Sequence, residues 1–139
     1  IIFTMPMNAV AGLSETIARE RHGDVRVGKY PYVRNHRAHA TYPPVGFVKL
    51  IVGPDGDDRI LGIRVIGRDA DAIVGAASIM IDQALPYTYV LNSIMPHPSL
   101  LECLQGAAHI IAGDALSYEE GEEFFNYLID DKSVASETC

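Results

Sequence analysis

One short stretch of this sequence combines residue types that could transfer protons. It reads His-Pro-Ser-Leu-Leu-Glu at residues 97–102, so that an imidazole precedes a predicted helix and a carboxylate lies on its first turn. A carboxylate beside a histidine fixes the tautomer of the ring and stabilises its protonated form, which suits a general acid/base near neutral pH. One interpretation of this stretch is therefore an acid/base at His97 with Glu102 as its orienting partner.

The same stretch also has a purely structural interpretation. Ser99 and Glu102 form an S-x-x-E capping box, in which the two side chains bind backbone N–H groups at the start of a helix. The two interpretations are compatible because one carboxylate can lie close to both the ring and the helix start. On spacing alone, both remain open.

Helices are predicted on either side of this stretch. Residues 69–85 show apolar positions at three- and four-residue steps, with Asp69 as a candidate cap and Pro86 as the terminator. A short helix is predicted over 88–93, and another over 99–111, closed by Gly113. The helix over 99–111 is apolar over much of its circumference, so it must pack against other elements on more than one side.

Strands dominate the first half of the chain, and an antiparallel hairpin is its clearest feature. Two β-rich runs, 46–52 and 59–67, flank a Pro-Asp-Gly turn at 53–58. Ser14 and Gly23 are positioned to cap a polar helix over 15–22. The remaining predicted elements are a strand at 1–5, a strand at 25–32, a basic loop at 34–39 and a short helix near 119–129.

The order of elements indicates an α+β fold, an antiparallel β-sheet with helices packed on one side. Residues 1–113 hold ten acidic and ten basic side chains, whereas 114–139 hold eight acidic and one basic, so the net charge of −7 comes from the end of the chain. We therefore predict one domain over 1–113 and an acidic C-terminal extension over 114–139.

Charge and composition also argue against several kinds of partner. A neutral domain with an acidic end favours neither nucleic acid nor an anionic membrane surface, and no apolar run reaches the roughly 20 residues of a membrane helix. Cys103 and Cys139 form no paired motif, which suits a reducing compartment such as the cytoplasm. His36 and His39 could be taken for a metal pair, but without acidic or Cys ligands nearby a solvated loop or an interface contact is favoured.

Four stretches, in the correct order, resemble motifs of the pyridine nucleotide-disulfide oxidoreductases. Residues 97–102 are similar to the His-Pro-Thr-x-x-Glu signature of that family, and residues 27–38 look most like its lipoamide dehydrogenase branch. The four stretches are Phe3-Thr4-Met5-Pro6 with Gly12-Leu13-Ser14-Glu15, Val27-Gly28-Lys29-Tyr30-Pro31-Tyr32 with Asn35-His36-Arg37-Ala38, Gly46-Phe47-Val48-Lys49 with Arg59-Ile60-Leu61-Gly62, and His97 to Glu102.

The resemblance implies the C-terminal dimerisation domain of an FAD-dependent NAD(P)H:disulfide oxidoreductase similar to dihydrolipoamide dehydrogenase. It implies a homodimer in which His97 and Glu102 form the catalytic acid/base pair in the partner subunit's active site, next to FAD and NAD(P)H domains missing here. It also implies a cis peptide between His97 and Pro98. We expect the chain alone to bind no cofactor and to be inactive, because it has no Gly-x-Gly-x-x-Gly or Cys-x4-Cys motif.

Some positions depart from the pattern of the family that the chain resembles. Met7 stands where many relatives have Glu, Met95-Pro96 stands where lipoamide dehydrogenases have another His, and about 26 residues follow the domain. These departures leave the disulfide substrate open. An alternative is a stand-alone homodimeric interaction module, derived from the same domain, in which the His-Glu pair only caps a helix. An unrelated α+β domain is a third alternative, which the four ordered stretches disfavour.

Overall fold

A computed structural model of the chain describes residues 1–114. The fold is α+β, as predicted, with four strands, five α-helices and one 3-10 helix in that range. The predicted helix near 119–129 lies outside the described residues, as does nearly all of the acidic extension. In chain order the elements are β1 (Asn8–Gly12), α1 (Glu15–His22), β2 (Arg26–Pro31), the 3-10 helix (Tyr32–Arg34), α2 (His36–Ala40), β3 (Phe47–Val52), β4 (Ile60–Ile66), α3 (Ala70–Asp82), α4 (Thr88–Asn92) and α5 (Glu102–Ala112).

The strands form one antiparallel sheet in the order β1-β4-β3-β2. The predicted hairpin is its centre, because β3 and β4 pair directly through the turn that contains Gly56, at a φ of 88°. Arg26 at the start of β2 holds this turn closed: its guanidinium donates to the Gly53 carbonyl at 3.0 Å and to Asp58 Oδ1 at 2.7 Å. A single side chain thus ties β2 to the end of the hairpin.

The two longest helices, α3 and α5, pack on one face of the sheet. Helix α5 covers β2 and β3, and α3 covers β1 and β4. The strands contribute residues that share this face by register, as Gly28, Leu50 and Ile63 do. Between the layers lies the main core, whose most buried members include Val48, Leu50, Ile63, Val65, Ile73, Ala77, Cys103 and Leu104. None of the helices within residues 1–114 has the length and apolar character needed to cross a membrane.

Helix α1 lies against the opposite face, where Ala18 packs on Val25 and Ile51 in a second, smaller cluster. Its ends are as predicted from the sequence. The Ser14 hydroxyl accepts a hydrogen bond from the Ile17 amide at 3.2 Å, and Gly23 follows the last turn with a φ of 81°. The helix is thus capped at both ends by the residue types that favour those positions.

Two sequence-based predictions of local structure in the first third of the chain are wrong. Residues 1–5 do not form the first strand: β1 is Asn8–Gly12, and Ile2 makes only an isolated bridge to Asn8. The apolar side chains before Pro6 are exposed, so their composition was not a sign of sheet burial. The basic loop at 34–39 is mostly helix α2, which Asn35 caps through the Ala38 amide at 3.0 Å.

The predicted helix over 69–85 exists as α3, but its ends differ. Asp69 precedes it in a left-handed conformation, with a φ of 56°, and its carboxylate makes no capping hydrogen bond. At the other end the helix stops at Asp82, before Pro86, because Ala84 turns left-handed and the Leu85 amide bonds back to the Met80 carbonyl. The chain conformation, and not proline, therefore ends this helix.

Candidate functional site

The candidate site lies in the loop between α4 and α5, and its first part is fixed from α5. The Gln105 amide donates to the carbonyls of Leu91 at 3.1 Å and Ser93 at 2.9 Å, at the end of α4. Carbonyls at a helix end have no partner within the helix, so this side chain satisfies them. The loop that carries His97 therefore leaves α4 at a defined point. Its His97–Pro98 peptide is cis, as the resemblance implied.

Glu102 binds this loop at two points. Its Oε1 lies 2.7 Å from Nδ1 of His97, and its Oε2 accepts a hydrogen bond from the Ser99 amide at 2.7 Å. Partial burial alone would raise the pKa of Glu102, but the hydrogen bonds from Ser99 and His97, with the charges of His97 and His36, outweigh it and lower the pKa below its ordinary value. Glu102 is therefore a carboxylate at neutral pH.

This carboxylate determines which nitrogen of His97 is available for chemistry. An ionised carboxylate can only accept hydrogen bonds, so Nδ1 of His97 is the donor and carries a proton. In the neutral ring Nε2 then holds the free lone pair. Nε2 has no hydrogen-bond partner within residues 1–114, and the His97 side chain is 64% exposed. The geometry therefore presents a proton acceptor outward from the chain.

The capping box predicted for Ser99 and Glu102 is only half formed. Glu102 binds the Ser99 amide, but the Ser99 hydroxyl is buried and has no hydrogen-bond partner in the described part of the chain. Helix α5 begins at Glu102, three residues later than predicted, because the chain first makes a tighter turn at residues 100–101, in which the Cys103 amide donates to the Leu100 carbonyl. The amides that a serine cap would bind are therefore not directed at the hydroxyl.

A residue that the sequence did not single out anchors the loop from the other side. Asn35 is 4% exposed, and its amide donates to the Ser99 carbonyl at 2.9 Å while its oxygen caps α2 at Ala38. It thereby ties α2 to the turn that follows His97. The signal was present in the sequence, since asparagine is a preferred N-cap residue and the stretch 35–38 was already part of a family-like motif.

Replacing Asn35 with Ala is expected to lower the free energy of unfolding by about 1–3 kcal/mol, because the Ser99 carbonyl and the Ala38 amide would both lose a buried partner. Urea denaturation of the chain followed by circular dichroism measures this. Asn92 is the matched control: it is exposed on α4 and its side chain makes no hydrogen bond within residues 1–114, so Asn92→Ala should stay within about 0.5 kcal/mol. Equal stability of the two variants would contradict the anchoring role.

The rings of His36 and His39 have different neighbours. The His39 ring binds the Val33 carbonyl at 2.6 Å, whereas the His36 ring lies against that of His97, with ring centroids 5.6 Å apart and planes at 87°. Nowhere in residues 1–114 do three or more histidine, cysteine or carboxylate side chains meet in a way that could hold a metal ion. The structure thus brings His36 to the candidate site, which the sequence analysis did not anticipate.

The family model for the pyridine nucleotide-disulphide oxidoreductase dimerisation domain matches residues 1–108. The chain belongs to this family. The matched residues of this chain include every strand of the sheet, the loop with His97 and most of α5.

Individual relatives agree with the family assignment. The chain is 31% identical over 116 residues to dihydrolipoyl dehydrogenases of Mycobacterium leprae and Thermus scotoductus, matching 84% of this chain and 25% of each relative. Among solved structures it is similar to the HOCl-induced flavoprotein disulfide reductase RclA from Escherichia coli, with a TM-score of 0.73 and 28% identity over 78% of this chain and 25% of that one. The dimerisation domain thus spans about a quarter of the length of the relatives that it matches.

Proposed function

We propose that this dimerisation domain belongs to a homodimeric FAD-dependent NAD(P)H:disulfide oxidoreductase similar to dihydrolipoamide dehydrogenase, in which His97 and Glu102 act as the acid/base pair of the partner subunit's active site. The observation that carries the proposal is the outward presentation of Nε2 of His97, while Glu102 holds Nδ1. Glu102 orients this proton acceptor, but Nε2 has no reaction partner within residues 1–114. Such an arrangement suits chemistry in another subunit.

Exposed apolar side chains near the loop support an interface there. Ile94 is fully exposed three residues before His97, and Tyr89 on α4, the helix that leads into the loop, is more than half exposed. Single exposed apolar residues are common on protein surfaces. In a dimerisation domain, however, a second copy of the chain would bury them. The proposal therefore places the His97 loop at or beside the contact between subunits.

The described residues do not themselves fit FAD or NAD(P)H. Their sheet is wholly antiparallel, whereas dinucleotide sites follow a parallel strand with a glycine-rich turn at a helix start. Other parts of the polypeptide would hold both cofactors. We expect the coding sequence that precedes Ile1 to specify them, together with a Cys-x4-Cys redox pair; a start codon directly upstream would favour a stand-alone interaction module.

In the proposed site, His97 accepts and releases one proton, and Glu102 stabilises the charged ring. Nε2 of His97 removes the proton from a thiol of the dithiol substrate, which leaves a thiolate, the form that attacks a disulfide. The positive charge that forms on the ring lies beside the Glu102 carboxylate, which stabilises it. The same proton then passes from Nε2 to the sulfur that leaves the broken disulfide, so the pair ends as it began.

Mixed dimers of the full-length protein test whether His97 acts across the subunit contact. One subunit carries His97→Gln and the other lacks one cysteine of the redox pair, and the heterodimer is isolated with two different affinity tags. Each variant alone should be nearly inactive. If His97 serves the partner, the heterodimer has one complete site and is expected to show about half the wild-type turnover per dimer. If His97 serves its own subunit, no site is complete, and a heterodimer as inactive as the parents would reject the proposal.

A further inference from the structure

Two side chains, about one helical turn apart on α5, hold the loop that carries His97. Glu102 binds Nδ1 of His97 and the Ser99 amide. Gln105 follows three residues later, on the same side of the helix, and its Nε2 lies 2.9 Å from the Ser93 carbonyl oxygen at the start of the loop. Helix α5 therefore binds the loop where it leaves α4 and again around His97.

The end of α4 requires a hydrogen-bond donor from α5. Nε2 of Gln105 lies within hydrogen-bond distance of three carbonyl oxygens, those of Val90 at 3.4 Å, Leu91 at 3.1 Å and Ser93 at 2.9 Å. A carbonyl oxygen can only accept a hydrogen bond, so a side chain that also only accepts could not replace Gln105 here. The contact therefore depends on the amide N–H groups of this side chain and not on its polarity alone.

The loop between the two attachments is short and alternates between packed and exposed side chains. Only three residues separate Ser93 from His97. Among them, Met95 is partly buried and packs against the main core, whereas Ile94 is fully exposed. Because so few residues intervene, a shift of the backbone at Ser93 is passed on to His97. Glu102 sets the tautomer of the His97 ring, but the position of the ring also depends on where the loop begins.

We propose that Gln105 is a positioning residue that acts through the loop: by binding the end of α4 it fixes how far His97 extends from the dimerisation domain toward the partner subunit. The catalytic meaning of this rests on the function proposed above for His97. A misplacement of about 1 Å can cost on the order of 10²-fold in rate, so an anchor of this kind affects turnover without touching the substrate.

Gln105→Glu tests the attachment in the 139-residue chain, without flavin or substrate. The variant keeps the size of the side chain but replaces its donor with a carboxylate, which can only accept hydrogen bonds. Backbone order parameters from NMR relaxation measure the effect. Those of Ile94, Met95 and His97 are expected to fall from about 0.85, typical of a rigid backbone, toward about 0.6, typical of a flexible one. Gln83→Glu, the same change at an exposed residue that ends α3, should leave them unchanged.

Gln105→Lys separates positioning from a general loss of structure, because its ammonium group again offers donors to the carbonyls at the end of α4. In the full-length oxidoreductase proposed above, Gln105→Glu is expected to lower kcat by about 10–10²-fold. KM and the shape of the pH profile should not change, since His97 and Glu102 are both retained. Gln105→Lys should recover most of the lost turnover.

Three results would overturn the inference. They are unchanged order parameters in Gln105→Glu, equal losses of turnover in the glutamate and lysine variants, and wild-type turnover in Gln105→Glu when His97→Gln is inactive. Failure of the function proposed for His97 gives a different result: the loop becomes flexible in Gln105→Glu, but His97→Gln retains full turnover. That outcome would reject the catalytic role of His97 and keep Gln105 as the anchor of the loop.

Discussion

In the full-length oxidoreductase proposed above, His97→Gln is expected to lower kcat/KM for disulfide turnover by about 10²–10⁴-fold, the usual contribution of a positioned acid/base. Glutamine keeps the size and polarity of the side chain, but its amide cannot take up a proton at neutral pH. The thiolate would then have to form by loss of a proton to water. Steady-state rates with a dithiol substrate, measured at several pH values, give the size of the loss.

The same variant should keep its flavin, because the sheet of the described residues is antiparallel whereas dinucleotide sites follow a parallel strand, and it should keep its dimer, because glutamine preserves the size and polarity of the side chain. Flavin absorbance and sedimentation check both. A matched control is His109→Gln at the other end of α5, since the His109 ring also lies against a carboxylate, with Nδ1 3.0 Å from Oδ1 of Asp114. We expect turnover of this control to stay within about twofold of wild type, the scale of a surface substitution. Equal losses in both variants would contradict a specific role for His97.

The pairing of His97 with Glu102 could be predicted because the two residues are only five positions apart in the sequence. A spacing of five residues across a helix start brings a loop side chain and a first-turn carboxylate together whatever the rest of the fold does. His36 and Asn35 could not be found in this way. Their contacts with His97 and Ser99 depend on how α2 docks against the loop, and no short-range pattern encodes that distance.

The fold shows the same division between local and distant causes. Helix α1 was predicted to the residue, since Ser14 and Gly23 satisfy the backbone groups at its own two ends. The β3–β4 hairpin was predicted because its turn chemistry lies between its strands. The first strand was misplaced because β1 is defined by pairing with β4, far along the chain, and the apolar residues before Pro6 resemble a strand without that pairing.

Close approach of α5 to the sheet leads to the largest expected change in stability. Gly28 on β2 faces α5, and a Cβ built there would lie 2.0 Å from the Ala107 carbonyl oxygen and 3.0 Å from the Ile111 side chain. The nearest atom is backbone, so it cannot rotate away. Helix α5 would have to move off β2 and β3, which are the strands that it covers, and the tightly packed core would open with it.

Gly28→Ala is therefore expected to destabilise the chain by about 3 kcal/mol or more, at or beyond the upper end for an overpacked core. A loss of this size lowers the melting temperature by more than about 10 °C in a domain of this length. Calorimetry of the purified chain measures it. Because Glu102 is the first residue of α5, the shift should also lengthen the bond to His97 in any population that remains folded.

Gly75→Ala is the control that separates steric clash from the loss of glycine. Gly75 lies within α3, and a Cβ built there meets no atom within 4 Å. Alanine favours the helix over glycine by up to about 1 kcal/mol, so this variant should melt at a slightly higher temperature. Alanine also suits a strand better than glycine, so without the contact to Ala107 the Gly28 variant would be stabilised as well. If α5 packs this closely on β2, Gly28→Ala should lower the melting temperature and Gly75→Ala should raise it. A rise in both variants would show that the helix does not approach the sheet this closely.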